Sequence, residues 1–137
     1  MDEESNMLVE NNDGTFSIKY AMRNPFAKHL DFTDLQGVIE KNPKWLPSNI
    51  DMMAERNGKF LICEWKRPNE EFGGGQKILL QALANAQNFT VLIVQGNTDN
   101  GMIVENFWQL MPWKKLYLRG SGLFSFKSFI QDWYEGA

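Results

Sequence analysis

The sequence contains little cysteine: Cys63 is the only one among 137 residues. A single cysteine excludes an intrachain disulfide and a zinc cluster built from several thiolates. No apolar run approaches the roughly 20 residues that a membrane-spanning helix needs. The acidic start MDEESNMLVENNDG is also unlike a signal peptide. We therefore expect an intracellular, cytoplasmic protein with no membrane partner.

An excess of basic residues is also lacking, since 14 Lys and Arg stand against 17 Asp and Glu, for a net charge of −3. This balance argues against binding nucleic acid by charge alone. It does not exclude an enzyme that approaches phosphate through a metal ion, because an acidic cluster holds such an ion. Hydrophobic residues at 43% and aromatic residues at 13% argue for a packed globule. We expect one domain over residues 15–137, preceded by a polar, acidic and irregular segment over residues 1–14.

Hydrophobic periodicity and turn residues predict a mixed α/β fold. The segment FLICEW is apolar on both of its faces, which is typical of a central strand covered on both sides. We therefore expect a central mixed sheet flanked by helices on both faces. The predicted elements are strands at 15–22, 49–56, 59–66, 90–97 and 102–110, helices at 33–41 and 75–88, and a closing helix through Phe126, Phe129, Ile130 and Trp133.

The dipeptide Asn57-Gly58 predicts a β-hairpin, because a type I′ turn needs positive φ at both central residues. Counting outward from that turn pairs Asp51 with Glu64 on one face of the hairpin. Lys66, two residues past Glu64, shares the face. At about 5 Å and an effective dielectric constant of about 20, the two carboxylates repel each other by roughly 3 kcal/mol. A positive group between them would offset that repulsion.

Two opposed carboxylates beside a lysine form a ligand set for a hard cation. Oxygen ligands without His or Cys suit Mg²⁺ or Mn²⁺ rather than Zn²⁺. Such an ion stabilises charge on a phosphoryl oxygen and lowers the pKa of a bound water. The alternative interpretation of Asp51, Glu64 and Lys66 is a rim of solvated charges at the end of a strand.

At these residues the sequence resembles the PD-(D/E)XK nuclease superfamily. ICEWK, residues 62–66, matches the E-x-K motif, and LPSNID, residues 46–51, is similar to the first acidic motif of that family. DFTDL, residues 31–35, is similar to a lead-in of small phage and bacterial members. The chain departs from the family pattern at Pro47, which three residues separate from Asp51.

The resemblance implies a restriction-endonuclease-like core and metal-dependent hydrolysis of DNA phosphodiester bonds. It assigns Asp51 and Glu64 as ligands of Mg²⁺ or Mn²⁺, with the backbone carbonyl of Trp65 as a further ligand. Lys66 would assist the attacking water. Small members of the superfamily often dimerise, so the resemblance also makes a homodimer an expectation.

Two further positions follow from the resemblance alone. Many members carry a Gln or Tyr on the helix after E-x-K, and Gln76 is the candidate for that catalytic position. Many also use an acidic residue of the first helix, for which Glu40 is the nearest match as a metal ligand and Asp34 is the alternative. The competing functional hypothesis is a nuclease-like fold that binds nucleic acid or protein, or inhibits, without turnover.

Overall fold

The computed structural model describes residues 8–18, 31–71 and 74–137 of the chain. Within these ranges the fold is mixed α/β, with a five-stranded mixed sheet and two α-helices. The strands are β1 (Leu8–Glu10), β2 (Phe16–Ile18), β3 (Met52–Arg56), β4 (Lys59–Lys66), β5 (Phe89–Asn97), β6 (Ile103–Met111) and β7 (Lys115–Ser121), and the helices are α1 (Gly74–Asn85) and α2 (Gly122–Gly136).

Two compact units divide the chain, residues 1–30 and residues 31–137. In the first unit β1 pairs antiparallel with β2. The expectation of an irregular segment over residues 1–14 is therefore wrong at residues 8–10. A local turn makes this pairing possible: Asp13 Oδ1 accepts hydrogen bonds from Thr15 N and Oγ1 at 3.0 and 2.6 Å, and Gly14 has φ +84°. The strand predicted at 15–22 is found at 16–18, and residues 19–22 lie outside the described ranges.

The second unit contains the sheet, with strand order β3-β4-β5-β6-β7. Strands β4 and β5 are parallel, and the other neighbours are antiparallel. Helix α1 makes the crossover that a parallel pair requires. The hairpin predicted from Asn57-Gly58 is confirmed, because these residues have φ +52° and +79° and the ladder runs from Arg56↔Lys59 to Met52↔Cys63.

Alternate residues of the central strands belong to two separate apolar clusters. The first, which we call the α2 cluster, includes Leu61, Cys63, Leu92, Val94, Val104, Phe107 and Phe126, with Leu123, Phe129, Ile130 and Trp133 of α2 packed against it. The second, the α1 cluster, consists of Ile62, Leu80, Ala84, Val91 and Ile93. Within the described ranges no helix is both long enough and apolar enough to cross a membrane.

The helix predicted over residues 33–41 is wrong apart from its first turn, a 3₁₀ helix at Thr33–Leu35. Asp31 acts as expected, since its Oδ1 accepts a hydrogen bond from Thr33 N at 2.9 Å. The chain then turns out of the helix, because Gly37 has φ +86° and its N–H donates to the carbonyl oxygen of Pro43 at 3.0 Å. Glycine adopts this left-handed conformation without a steric penalty.

Strand β7 was not expected from the sequence, and the reason lies in the turn before it. Trp113 and Lys114 both have φ +66°, although neither is a residue type that favours positive φ. No Asn-Gly or Gly-rich signal therefore marks the reversal between β6 and β7. The resulting sheet edge leaves Trp113 largely exposed, whereas Phe107 is fully buried in the α2 cluster.

Candidate metal centre

Asp51 and Glu64 lie at the open end of the β3–β4 hairpin. Asp51 directly precedes β3, one position beyond the last ladder pair Met52↔Cys63, and Glu64 is the corresponding position of β4. Asp51 Oδ2 accepts a hydrogen bond from the backbone N–H of Trp65 at 2.8 Å. This bond fixes the Asp51 carboxylate against β4, next to the position that Glu64 occupies.

Glu64 is the one polar or charged residue among the buried ones in the described ranges, at 4% exposure. Its Oε1 accepts a hydrogen bond from Gln76 Nε2, whereas its buried Oε2 has no hydrogen-bond partner among the described residues. Burial, followed by the negative charge of Asp51, raises the pKa of the Glu64 carboxyl to about 7, and the Lys66 ammonium opposes this rise. A buried carboxylate with a free oxygen beside a second carboxylate is a site suited to a cation.

Lys66 and Gln76 complete the immediate surroundings of Glu64. Lys66 Nζ donates a hydrogen bond to Gln76 Oε1 at 2.8 Å and lies 3.7 Å from Glu70 Oε1. Because α1 begins at Gly74, Gln76 lies in its first turn and reaches both Glu64 and Lys66. The structure thus brings together the four residues predicted around the site: Asp51, Glu64, Lys66 and Gln76.

The acidic residues predicted as an additional metal ligand do not join Asp51 and Glu64. Glu40 is exposed in a turn, and Asp34 is exposed in the 3₁₀ helix. Within the described ranges no three His, Cys, Asp or Glu side chains are grouped to hold a metal ion, so Glu40 does not join Asp51 and Glu64 in such a group. The Trp65 ring packs edge-on against Phe126 at 5.7 Å, on the side of the α2 cluster.

Sequence reasoning did not include Glu70 in the site. This residue lies four positions after Lys66, in the segment between β4 and α1. That segment has no regular periodicity, so its sequence does not predict which of its acidic residues turns back to the strand. Only the path of the loop brings the Glu70 carboxylate to the Lys66 ammonium.

No protein-family model, curated protein or solved structure matches this chain. The chemistry of the site is accordingly argued from its own groups. Asp51 and Glu64 present carboxylate oxygens suited to a hard divalent cation. The Lys66 ammonium and the Gln76 amide lie beside them, where they can hold a water molecule or an anionic oxygen.

Proposed function

We propose that this protein is a metal-dependent nuclease, an endonuclease that hydrolyses DNA phosphodiester bonds at Asp51, Glu64, Lys66 and Gln76. The proposal combines two arguments. The geometry of the site supports a divalent metal, and the resemblance of ICEWK to the E-x-K motif supports phosphodiester chemistry on DNA.

The observation that carries the proposal is the buried Glu64 carboxylate with its unpartnered Oε2. An unpaired buried charge is costly, and it is usually removed by protonation, by pairing or by a metal ion. Gln76 links Lys66 to Glu64, yet the Lys66 ammonium offsets only part of the rise in the Glu64 pKa. A divalent cation between Glu64 and Asp51 would satisfy the free oxygen and remove the repulsion between the carboxylates.

The residues present fit Mg²⁺ or Mn²⁺, held by the carboxylates of Asp51 and Glu64 and by the backbone carbonyl of Trp65. When bound, such an ion would stabilise negative charge on a phosphoryl oxygen and acidify a coordinated water. Lys66 would orient the attacking water and stabilise the negative charge that develops on the phosphoryl oxygens. Gln76 would hold Lys66 and Glu64 at a fixed separation, because its amide donates to one and accepts from the other.

The proposed fold is a restriction-endonuclease-like core with helices on both faces of the sheet. Its support is the division of the central strands into two clusters. Ile62 packs with α1, whereas its neighbours Leu61 and Cys63 belong to the α2 cluster. Successive residues of a strand point to opposite faces, so this alternation favours one helix on each face.

A second candidate function is a nuclease-like module that binds without turnover. It is favoured by the net charge of −3 and by the lack of a third acidic ligand near Asp51 and Glu64 among the described residues. Metal binding and cleavage separate the two candidates, because the module would leave DNA intact with either metal.

The proposal is tested first by metal-dependent stability. Mg²⁺ or Mn²⁺ should raise the melting temperature of the wild-type protein, because a ligand that binds only the folded state stabilises it. The Asp51→Asn variant should lose this shift. Glu105→Gln, which alters an exposed glutamate of β6, should keep it and serves as the control.

Cleavage is measured on supercoiled, linear and branched DNA with Mg²⁺, Mn²⁺ or EDTA. We expect cleavage by the wild-type protein and by Glu105→Gln with metal, and none by Glu64→Ala. The enzyme proposal fails if neither metal supports cleavage, or if Glu64→Ala cleaves as fast as the wild type. A metal-dependent melting shift without cleavage would instead favour the binding module.

A further inference from the structure

We propose that Gln95, Asn106 and Ser121 form a track that binds the sugar-phosphate backbone of DNA beside the metal centre. The track is a row of polar side chains that crosses the sheet from Lys66 to the edge strand β7. The inference rests on the proposed function for its ligand, and it names residues that neither the E-x-K motif nor the site itself includes.

The strand register places these residues in one row. Lys66 pairs with Gln95, Gln95 with Asn106, and Asn106 with Ser121. Paired residues of neighbouring strands point to the same face of a sheet. A hydrogen bond from Ser121 Oγ to Asn106 Oδ1 at 2.6 Å agrees with this placement. Because Lys66 shares its face with Glu64, the row lies on the same face as the metal centre.

This row interrupts an apolar face. The preceding row on the same side runs from Glu64 to Ile93, Trp108 and Leu118, so only its first member is polar. The next row on this face begins at Lys66, closer to the carboxyl end of β4. Every member of that row has a side chain that can form hydrogen bonds. Packing of the sheet does not require an amide side chain on each of two adjacent central strands. A polar ligand that lies across these strands would contact both amides.

The row also has unused donors. Ser121 Oγ donates a hydrogen bond to the side-chain oxygen of Asn106. The Asn106 Nδ2 amide has no hydrogen-bond partner among the described residues. No hydrogen bond joins the Gln95 side chain to another described residue. Both side chains are only half-buried, so their amides can reach a ligand on this face. Asn, Gln and Ser are frequent donors to phosphate oxygens in complexes with DNA.

The length and electrostatics of the row suit a nucleic-acid strand. Four neighbouring strands span about 14 Å at about 4.8 Å per strand, which corresponds to roughly four nucleotides at 3.4 Å each along a duplex. The row ends at Ser121, immediately before α2, and the first turn of α2 contains no acidic residue. No side-chain hydrogen bond from Ser121 caps that helix, and its hydroxyl donates to Asn106 Oδ1. Free N–H groups at a helix start favour an anion.

The experiment is a binding titration of a short fluorescein-labelled DNA duplex, followed by fluorescence anisotropy in EDTA at several salt concentrations. We expect Gln95→Ala and Asn106→Ala each to weaken binding by about threefold to tenfold, the effect of losing one net hydrogen bond. The slope of log affinity against log salt should stay at the wild-type value, because neutral donors release no counterions from DNA.

Gln109→Ala is the matched control. Gln109 is a glutamine of β6 that pairs with Leu92 of the α2 cluster and accepts a hydrogen bond from Arg119, so it lies on the opposite face from Asn106. It should bind DNA as the wild type does. If Gln95→Ala lowers the melting temperature, the isosteric Gln95→Glu replaces it, and its added negative charge should weaken DNA binding further.

The outcomes separate this inference from the proposed function. Unchanged affinity in both track variants overturns the track, even if metal-dependent cleavage by the wild type upholds the nuclease. Track-dependent binding without cleavage supports the track and rejects the nuclease. Absence of wild-type binding in EDTA overturns the track, and the cleavage assay then decides the nuclease independently.

Discussion

In the metal-free protein, the substitution Glu64→Gln should stabilise the fold at neutral and mildly alkaline pH. The wild-type carboxylate is buried, lies beside Asp51 and has a free Oε2. The amide of the variant carries no charge, keeps an oxygen that can accept the hydrogen bond from Gln76, and has nearly the same volume. The substitution therefore removes the electrostatic cost and leaves the packing in place.

The size of the effect follows from the pKa of Glu64, which burial and the charge of Asp51 raise from 4.5 to about 7. The folded protein thus holds this proton more tightly than the unfolded chain does. As the pH rises from 4.5 to about 7, the free energy of unfolding should fall, and above pH 7 the loss is complete. At about 1.4 kcal/mol for each tenfold change in proton affinity, the full loss is about 3 kcal/mol.

The assay is urea unfolding in EDTA over a pH series that spans this window, with the free energy of unfolding obtained by linear extrapolation. We expect the wild type and Glu64→Gln to be equally stable below pH 4.5, where the wild-type carboxyl is protonated in both states. Above pH 7 the variant should be more stable by about 3 kcal/mol. The difference between the two proteins cancels the contributions of titrating groups that do not interact with Glu64.

The control for this comparison is Glu105→Gln, which removes an exposed charge from β6 and should follow the wild-type pH profile. Equal stability of wild type and Glu64→Gln across the whole series would refute the argument. So would a variant that is less stable at high pH, because it would show that the ionised Glu64 already has a stabilising partner in the metal-free protein.

Other perturbations test the packing around the site. Burial raises the pKa of the Cys63 thiol to about 12. A thiol-specific reagent should therefore label Cys63 only as fast as the protein unfolds. Rapid labelling of the native protein would contradict this. Gly96→Ala should lower the free energy of unfolding by about 1–3 kcal/mol, because the added Cβ would lie 2.0 Å from the carbonyl oxygen of Ile103. Gly75→Ala, where the Cβ meets nothing within 4 Å, should instead raise it by about 0.4–1 kcal/mol. Phe126→Ala should lower the free energy of unfolding in urea by about 3–5 kcal/mol, because the Phe126 ring is only 1% exposed. A smaller loss would mean that the α2 cluster repacks around the cavity.

The interior of the sheet could be predicted from local sequence. The hairpin register follows from Asn57-Gly58, because positive φ at both positions fixes the turn type and thereby every pair of the ladder. The strand 59–66 and the strand near 90–97 follow from apolar runs, and the closing helix follows from Phe126, Phe129 and their helical spacing, although it begins earlier, at Gly122. These features depend on neighbours close in the chain, which is why a sequence pattern reveals them.

The helix over residues 33–41 and strand β7 were not predicted correctly from the sequence. The helix expected over residues 33–41 ends after one turn, where the Gly37 N–H bonds to Pro43 rather than to a helical carbonyl. Strand β7 follows a reversal at Trp113 and Lys114, whose positive φ values no local residue preference indicates. At this reversal a contact with a distant residue stabilises the turn, because the Trp113 N–H donates a hydrogen bond to Asn85 Oδ1 at 3.2 Å.

For the candidate site, the sequence by itself determined that Asp51 faces Glu64 with Lys66 on the same side, because register and the period of two settle which residues share a face. Only the tertiary structure decided the chemistry of that arrangement. The packing of α1 brings Gln76 to Glu64 and Lys66, and it buries the Glu64 carboxyl with one oxygen unpaired. Burial and hydrogen bonding depend on elements far apart in the chain, so the raised pKa of Glu64 and its capacity for a cation could not be read from the motif alone.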